Sequence, residues 1–485
     1  MLAAQLSMQI VPATLPLASD LPGRFQHNHI KDDALRVTQL KLSELISFRS
    51  PKNGAAPRGG ERAVNQTISL CYSLLTERGE VSGGRLAAEA LRAYEALDEP
   101  GRGAFFDLLV KEFSPDPEVV GRSGEAYRDD PSPENLARIL RVVEPPRREL
   151  FRRLNGAPGG TRVLVEMRRQ LLIARNPKWS PIEADLAHLL SSWFNRGFLN
   201  LRRIDWRTPA SILEKLIQFE AVHEIHGWHD LRRRLEADRR CYAFFHPALG
   251  EEPIIFVEVA LTRGMSAKVQ PLLDPDSPVL DAKLANCAMF YSVTNCQEGL
   301  RGVPFGNFLI KKVAQDLGDE LPQIRTFATV SPVPGFREWL TATIAKVEKN
   351  PEFKTLTDLM RKLNEPAWFQ DRDVAHAALE ELGPLCAHYL LYAKQGKEPL
   401  DSVARFHLRN GARLERINWL GDTSAAGMQR SAGLMVNYVY RLAEVERNHE
   451  AYMKEYKVVA SRQIELLAKQ SELARENPRE APSLN

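Results

Sequence analysis

The pattern of apolar residues changes near residue 240, and this change limits the chain to a helical part followed by an α/β part. Before it, apolar side chains recur at three- and four-residue steps, as on one face of a helix. An example is the series Leu86, Ala90, Tyr94 and Leu97. After it, Cys241–Phe245 and Ile254–Leu261 are β-branched or aromatic and flank a turn-like segment, which predicts a β-hairpin.

Two further strands are predicted at Met289–Thr294 and Arg325–Val330, with a helix between them that ends at Gly318. A strand, a loop, a helix and a second strand in this order predict a crossover connection within one sheet. Further helices follow, and a single long helix is predicted over Val445–Ala474. We therefore expect an α+β chain with an all-helical N-terminal domain, an α/β domain and additional C-terminal helices.

Composition and pattern divide the chain into four segments. We expect an N-terminal segment at 1–65 with a mobile Gly- and Pro-rich loop, a helical domain at 66–205, the α/β domain at 206–475 and a disordered tail at 476–485. Helix starts are predicted at Ser132-Pro133 and Thr208-Pro209. Another is predicted at Ser180, which would form a capping box with Glu183.

The charge balance and the cysteines exclude several classes of protein. The 485 residues carry 65 Lys and Arg against 62 Asp and Glu, so a net charge of +3 draws neither nucleic acid nor a membrane surface. No stretch approaches the roughly 20 apolar residues of a membrane-spanning helix. The five cysteines form no CxxC pair, which disfavours a zinc site or a disulfide framework and favours a reducing compartment.

Glycines are concentrated in the loop Glu298–Asn307, after a predicted strand and before a helix. Backbone amides there, together with the helix N-terminus, could hold a phosphate, and Lys311 and Lys312 could add charge one turn later. The spacing matches neither the Walker motif nor GxGxxG, so a connector without a ligand is an equal alternative.

Two polar residues are candidates for acid–base chemistry. Ser331 ends the fourth predicted strand, where ligands collect in open α/β sheets, although a turn-capping serine is the simpler interpretation. His407 precedes an Asn-Gly helix end and could exchange protons near neutral pH, although most such histidines are packing residues.

Two other polar runs are given structural interpretations. His223, His226 and His229 are spaced by three residues, but Gly227 interrupts a continuous helix and HExxH is missing, so a metal site is not expected. The arginines at 232–234, 239 and 240 are interleaved with acids, which predicts a charged helix face rather than a nucleic-acid patch.

Taken together, the segments resemble malonyl-CoA decarboxylase over roughly residues 70–470. The motifs that carry the resemblance are Arg240-Cys241-Tyr242, Gly299–Val303, Phe308–Lys311, Ser331–Phe336, Phe406–Leu408, Asn410–Ala412 and Arg416–Trp419. Segments Ser192–Leu201 and Gly433–Tyr438 extend it. Because several of these motifs are long and occur in the expected order, chance similarity is improbable.

The resemblance implies a helical domain used in oligomerisation and a catalytic domain with the GNAT acyl-CoA-binding fold. It implies decarboxylation of malonyl-CoA to acetyl-CoA and carbon dioxide without a metal or an organic cofactor. It places catalysis on Ser331 and His407. The substrate loop would be Arg301, Gly302, Val303, Pro304, Phe305, Gly306 and Asn307. Arg301 and Pro304 depart from the Gln and Glu of animal members, and Pro304 removes a backbone donor from the loop.

Decarboxylation leaves an electron pair on the thioester as an enolate, which backbone amides near the end of the third strand are expected to stabilise. The carbanion then needs a proton, with His407 as donor and Ser331 orienting the carboxylate or relaying the proton. Which of the two delivers the proton stays open here, and the family's usual assignment makes the serine the acceptor and the histidine the donor.

We expect a homo-oligomer, dimeric or tetrameric, from the resemblance alone. The chain ends Pro482–Asn485 rather than in a peroxisomal signal, which favours a cytoplasmic enzyme. An acyltransferase on the same CoA-binding fold and a non-catalytic acyl-CoA sensor are the alternatives.

Overall fold

The computed structural model describes residues 59–303, 309–347, 354–365 and 367–471. Residues 1–58 of the predicted N-terminal segment, Pro304–Asn307 of the predicted substrate loop and the predicted tail at 476–485 lie outside the described residues. The chain separates into two compact units, residues 1–105 and 106–485.

The described part of the first unit is helical. It consists of α1 (Gly59–Thr76), α2 (Glu80–Glu95) and the start of α3 (Glu99–Glu112). Three members of the predicted apolar face, Ala90, Tyr94 and Leu97, are buried, and Leu86 is half-buried. The three- and four-residue spacing therefore identified the buried side of α2 correctly.

The second unit begins with further helices: α4 (Pro117–Asp129), α5 (Pro133–Val143), α6 (Pro146–Asn155), α7 (Gly160–Ala174) and α8 (Ser180–Trp193). The start of α5 is confirmed, since Ser132 accepts a hydrogen bond from the amide of Asn135 and Pro133 is the first helical residue. The capping box on α8 is wrong. A 3-10 turn runs into the helix, so the Ser180 hydroxyl donates to Pro177 O, and Glu183 instead binds Arg168.

One mixed sheet forms the centre of this unit. In the described residues it has eight strands: β1 (Asn200–Ile204), β2 (Arg239–Phe245), β3 (Pro253–Thr262), β4 (Cys287–Asn295), β5 (Thr326–Thr329), β6 (Ser331–Pro332), β9 (Arg413–Asn418) and β10 (Met435–Val439). The order is β1-β2-β3-β4-β5-β10-β6, and β9 pairs with β10. A separate small sheet pairs β7 (Lys394–Gln395) with β8 (Glu398–Pro399). Strand β1 was not predicted.

The pairing confirms the predicted hairpin and crossover. Strands β2 and β3 are antiparallel, whereas β4 and β5 run parallel and are joined through α12 (Leu309–Glu320). That helix continues two residues beyond Gly318, so its predicted end is wrong.

The remaining helices are α9 (Ala210–Phe219), α10 (Trp228–Arg234), α11 (Gln270–Leu273), α13 (Phe336–Val347), α14 (Lys354–Lys362), α15 (Arg372–Tyr392), α16 (Ser402–Arg409), α17 (Ala425–Ser431), α18 (Val445–Glu455) and α19 (Arg462–Gln470). The start of α9 lies one residue later than predicted, because Pro209 is its N-cap and the Thr208 hydroxyl accepts from Asp205 N.

The predicted long C-terminal helix is wrong, because the chain breaks between α18 and α19. Tyr456 has a left-handed backbone with φ of 55°. The residues that follow pair with β9, where Leu414 N donates to Val459 O and Ser461 N donates to Leu414 O. Backbone hydrogen bonds to the sheet thus replace those of a continued helix.

The arginine run does not form one charged helix face, because Arg239 and Arg240 lie on β2 and other members of the run are buried. Arg233 binds Asp238 at 2.6 Å and Arg234 binds Glu258 at 2.7 Å, and all four side chains are at most 3% exposed. The interleaved Asp238 is the partner of Arg233, but the partner of Arg234 comes from strand β3, so the local sequence did not show that these arginines are buried.

The fold class is confirmed: a helical region precedes a mixed-sheet α/β domain with C-terminal helices. None of the helices in the described ranges is long and apolar enough to cross a membrane. Within the same ranges, no group of His, Cys, Asp and Glu side chains is arranged to hold a metal ion.

Candidate active site

The candidate site lies where two parallel strands of the sheet separate. Strands β4 and β5 pair as far as Phe290 and Thr329, and the last bond between them runs from Val330 N to Phe290 O. Tyr291 is an extra residue in β4 at a bulge opposite β3. The next residue after Val330 is Ser331, which begins β6 and pairs with β10 instead.

Helix α16 brings His407 to this point. Asp401 caps the helix by accepting from the amide of Ala404 at 2.8 Å, and Gly411, with φ of 79°, follows the helix end. His407 lies in the last turn, and its Nε2 is 3.0 Å from Ser331 Oγ. Both side chains are buried. The structure therefore joins a hydroxyl and an imidazole that are 76 residues apart in the chain.

The serine–histidine pair belongs to a longer chain of hydrogen bonds. Ser331 Oγ donates to Thr329 Oγ1 at 2.8 Å, and Thr329 Oγ1 also accepts from the amide of Tyr438 at 3.1 Å. On the other side of the imidazole, His407 Nδ1 is 2.7 Å from the Tyr440 hydroxyl. The ring of Tyr438 stacks on His407 with centroids 4.4 Å apart. The imidazole is therefore held at both nitrogens and on one face.

These contacts define the protonation state of the site. Burial lowers the pKa of His407 to about 3, so the imidazole is neutral at neutral pH. Because the Ser331 proton is directed to Thr329, the Ser331 oxygen accepts from His407 Nε2–H. Nδ1 is then the acceptor of the Tyr440 hydroxyl, whose pKa is raised well above its ordinary value by burial.

The start of the predicted substrate loop is fixed against α7. Arg168 Nη1 donates to Gly299 O at 2.7 Å, and a Cβ on Gly299 would lie 2.0 Å from Val165 O, so only glycine fits. Arg301 is exposed, Gly302 has φ of 77°, and Val303 is buried. Arg301 and Gly302 are therefore exposed between the buried residues Leu300 and Val303.

The lysines and histidines singled out in the sequence have other surroundings. Lys311 binds Glu446 at 2.6 Å and Lys312 binds Asp316 at 3.0 Å, so both lysines already have acidic partners. The three histidines at 223, 226 and 229 do not share a helix, since α10 begins only after Gly227, whose φ is 91°. Burial lowers the pKa of His223.

Sequence reasoning missed Thr329, Tyr438 and Tyr440. A signal for each was present, because side chains two residues apart on a strand face the same side. Thr329 precedes Ser331 by two, and the two tyrosines are separated by one residue. Without the pairing of β5 and β10, however, nothing in the sequence placed those tyrosines beside His407.

A buried serine–histidine pair, linked to further hydroxyl groups where parallel strands separate, is an arrangement suited to acid–base chemistry in an enzyme. The comparisons identify the family. Residues 113–194 match the malonyl-CoA decarboxylase N-terminal domain, and residues 197–478 match the malonyl-CoA decarboxylase C-terminal domain. The chain therefore belongs to the malonyl-CoA decarboxylase family, as its motifs predicted.

Individual relatives agree over most of the chain. It is 35% identical over 455 residues to the mitochondrial malonyl-CoA decarboxylase of Anser anser anser, covering 86% of this chain and 90% of that protein. The crystal structure of malonyl-CoA decarboxylase from Rhodopseudomonas palustris is 49% identical with a TM-score of 0.78, covering 84% of this chain and 99% of that one. The crystal structure of malonyl-CoA decarboxylase from Agrobacterium vitis is 46% identical with a TM-score of 0.77, covering 83% of this chain and 99% of that one.

Proposed function

We propose that this chain decarboxylates malonyl-CoA to acetyl-CoA and carbon dioxide, with Ser331 and His407 as the catalytic residues. Family membership supports the reaction. The observation that carries the site assignment is the 3.0 Å contact between Ser331 Oγ and His407 Nε2 in a buried setting. A proton donor and a hydroxyl in contact are what carboxylate binding and carbanion protonation require.

The first step breaks the bond between the α-carbon and the carboxylate. Its electron pair moves into the thioester to form an enolate, and carbon dioxide leaves. Backbone amides at the bulge and end of β4 are the candidate donors to the developing oxyanion, and one such donor is worth about 3–4 kcal/mol of barrier. The Ser331 hydroxyl would turn from Thr329 to the carboxylate and orient it for departure.

The second step delivers a proton to the α-carbon. A malonyl carboxylate beside the imidazole raises the pKa of His407, because an opposite charge favours the protonated form. His407 therefore takes up one proton from solvent at Nδ1 when the substrate binds, gives its Nε2 proton to the carbanion and is left neutral with the proton on Nδ1; the net reaction consumes that one proton. A phenol hydroxyl can both donate and accept, so Tyr440 can hold Nδ1 in each state.

We further propose that Arg301, Gly302, Val303, Pro304, Phe305, Gly306 and Asn307 form the loop that binds the CoA pyrophosphate through backbone amides. The reaction as written needs no metal or organic cofactor. We also propose a cytoplasmic homo-oligomer, dimeric or tetrameric, that interacts with neither nucleic acid nor membranes. The proposal assigns residues 66–205 to a helical oligomerisation domain and residues 206–475 to a GNAT-like catalytic domain.

The test is incubation of the purified protein with malonyl-CoA alone, followed by quantification of acetyl-CoA and carbon dioxide. Turnover without an amine acceptor supports decarboxylation over acyl transfer, whereas binding without turnover supports a sensor. Ser331→Ala and His407→Ala should each lower kcat at least tenfold, or about 1.4 kcal/mol of barrier. His388→Gln changes a buried histidine outside the site and serves as the control. Wild-type rates in both site variants would refute the assignment.

A further inference from the structure

A cavity lies beside the anchored start of the substrate loop. It encloses about 310 Å³ between the C-terminal end of α7 and the loop. Its walls are Arg169, Leu172, Ile173, Arg175, Glu298 and Arg301. The cavity therefore joins a helix of the N-terminal helical region to the segment that is proposed to hold the pyrophosphate.

The two walls are rigidly joined. Gly299 lies against the backbone of α7 at Val165, and the buried guanidinium of Arg168 ties Gly299 O to the same helix. The residues on either side of Gly299 therefore keep a fixed position relative to α7. A ligand on the loop would meet the same α7 side chains each time it binds.

The charges in the cavity favour an anion. Arg169 is paired with Glu166 at 2.7 Å through two nitrogens. The Glu298 carboxylate lies 3.8 Å from both Arg169 and Arg301, so one negative charge forms long, partly exposed ion pairs with two arginines. The Arg175 side chain has no hydrogen-bond or ion-pair partner in the described ranges. Guanidinium groups thus remain available for a phosphate, which they bind with two parallel hydrogen bonds.

The same cavity has an apolar wall. Ile173 is 59% exposed although it is a large hydrophobic residue, and Leu172 is half-buried beside it. Apolar surface next to arginines suits a heteroaromatic ring that carries phosphate, because the ring covers the apolar wall and can stack on a guanidinium. Inorganic phosphate alone would leave Ile173 exposed.

We infer that this cavity binds the adenosine 3′-phosphate end of the CoA substrate, with Arg175 and Arg301 as the phosphate ligands. The inference rests on the proposed function, since it concerns the substrate of that same site. It would make the helical region part of the substrate-binding surface, at a distance from the bond that breaks.

The conformation of Arg175 offers a test of this role. Arg175 is the C-cap of α7, in a left-handed conformation with φ of 48°. Glycine is the preferred residue at such a position, so Arg175→Gly should leave the protein equally stable or more stable. A purely structural arginine would therefore be replaced without loss, whereas a binding arginine would not.

The experiment measures kcat and KM of the full chain with malonyl-CoA and with 3′-dephospho-malonyl-CoA. We expect the wild type to show at least a tenfold higher KM for the dephospho substrate at similar kcat, which corresponds to about 1.4 kcal/mol. Arg175→Gly and Arg301→Ala should raise the KM for malonyl-CoA five- to tenfold and change that for the dephospho substrate less than twofold. Glu298→Gln should lower the KM for malonyl-CoA, because it removes the negative charge from the cavity.

Arg162→Ala is the matched control, since it removes an exposed arginine from α7 that does not line the cavity. Equal effects of the cavity variants on both substrates, or an unchanged KM in Arg175→Gly, would overturn the inference while leaving decarboxylation intact. If malonyl-CoA is not turned over, the proposed function fails instead. Calorimetric binding of CoA and 3′-dephospho-CoA then tests the cavity alone, with equal affinities counting against it.

Discussion

Replacing Tyr440 by Phe removes one oxygen atom from the candidate site and leaves the aromatic ring in place. That oxygen lies 2.7 Å from His407 Nδ1, and it is the partner that the structure gives to this nitrogen. Both side chains are buried, so the freed nitrogen has no bulk water to bond. The variant therefore tests whether the hydroxyl keeps the imidazole aligned with Ser331.

The expected size of the effect follows from the cost of an unpaired buried polar atom. Leaving one acceptor without its donor costs about 1–3 kcal/mol. If about 1–2 kcal/mol of that appears as lost alignment in the transition state, kcat falls about 5- to 30-fold. KM should change little, because Tyr440 contacts the imidazole rather than the proposed CoA loop.

The assay is steady-state decarboxylation of malonyl-CoA, with Tyr438→Phe as the matched control. Tyr438 lies on β10, two residues before Tyr440, and contacts the same imidazole through its ring, which the control retains. We expect Tyr438→Phe to lower kcat by less than about threefold, since the stacking contact is unchanged. Nitrogen-15 shifts of labelled histidine add a second reading: at pH 7, His407 should be neutral and protonated at Nε2.

Two results would show that this reasoning is wrong. One is a kcat for Tyr440→Phe within twofold of the wild type, which would mean that the hydroxyl does not align His407. The other is a nitrogen spectrum of an imidazolium, or of a neutral ring protonated at Nδ1, in the free enzyme at pH 7. Equal losses in the two tyrosine variants would point to packing rather than to the hydrogen bond.

Three further predictions concern stability, measured by urea unfolding. Gly299→Ala should destabilise the chain by about 1–3 kcal/mol, because the new Cβ would lie 2.0 Å from Val165 O. Gly318→Ala should stabilise it by about 0.5–1 kcal/mol, because the nearest atom to the new Cβ is 3.7 Å away. Equal effects of the two substitutions would contradict this reasoning. Burial lowers the pKa of His407 from 6.5 to about 3, so the unfolded chain takes up a proton before the folded chain does as pH falls. The free energy of unfolding should therefore drop by about 1.6 kcal/mol between pH 6.5 and 5, and His407→Gln should lack that drop. Burial raises the pKa of Asp401 from 3.8 to about 6, so the buried carboxylate destabilises the folded chain fully above pH 6 and not at all below pH 3.8. Asp401→Asn still caps α16 and removes this charge. The free energy of unfolding of this variant should therefore exceed that of the wild type by up to about 3 kcal/mol at pH 7 and equal it at pH 3.

The fold was predictable wherever local pattern and tertiary structure agree. The hairpin β2–β3 and the β4–α12–β5 crossover follow from strand composition and order, because each connects neighbours in sequence. The break after Tyr456 was not predictable, because a helical pattern continued through residues whose backbone instead pairs with β9. The burial of Arg234 was hidden for a similar reason, since its partner Glu258 lies on a strand 24 residues away.

The candidate site was predictable only through the resemblance. Taken alone, Ser331 was more simply a turn residue and His407 a packing residue, and no spacing linked them. Their partners Thr329 and Tyr440 carry no motif of their own. Residues from β5, α16 and β10 meet because β10 lies between β5 and β6 in the sheet. The local periodicity of a sequence predicts strands but not their order in a sheet.

Helix α7 belongs to the helical region by sequence, but it contacts the start of the proposed substrate loop in the α/β part. Its residues Val165 and Arg168 hold Gly299 and, through it, the start of the predicted substrate loop. Phosphate binding and the anchoring of the loop would therefore both depend on α7, although the hydroxyl and the imidazole come from the sheet and α16. A helical region retained only for assembly would have no need of a buried arginine aimed at a loop carbonyl 131 residues away. Packing of this helix against Gly299 thus fixes the start of the proposed CoA loop, and substitutions in α7 should change substrate affinity before they change kcat.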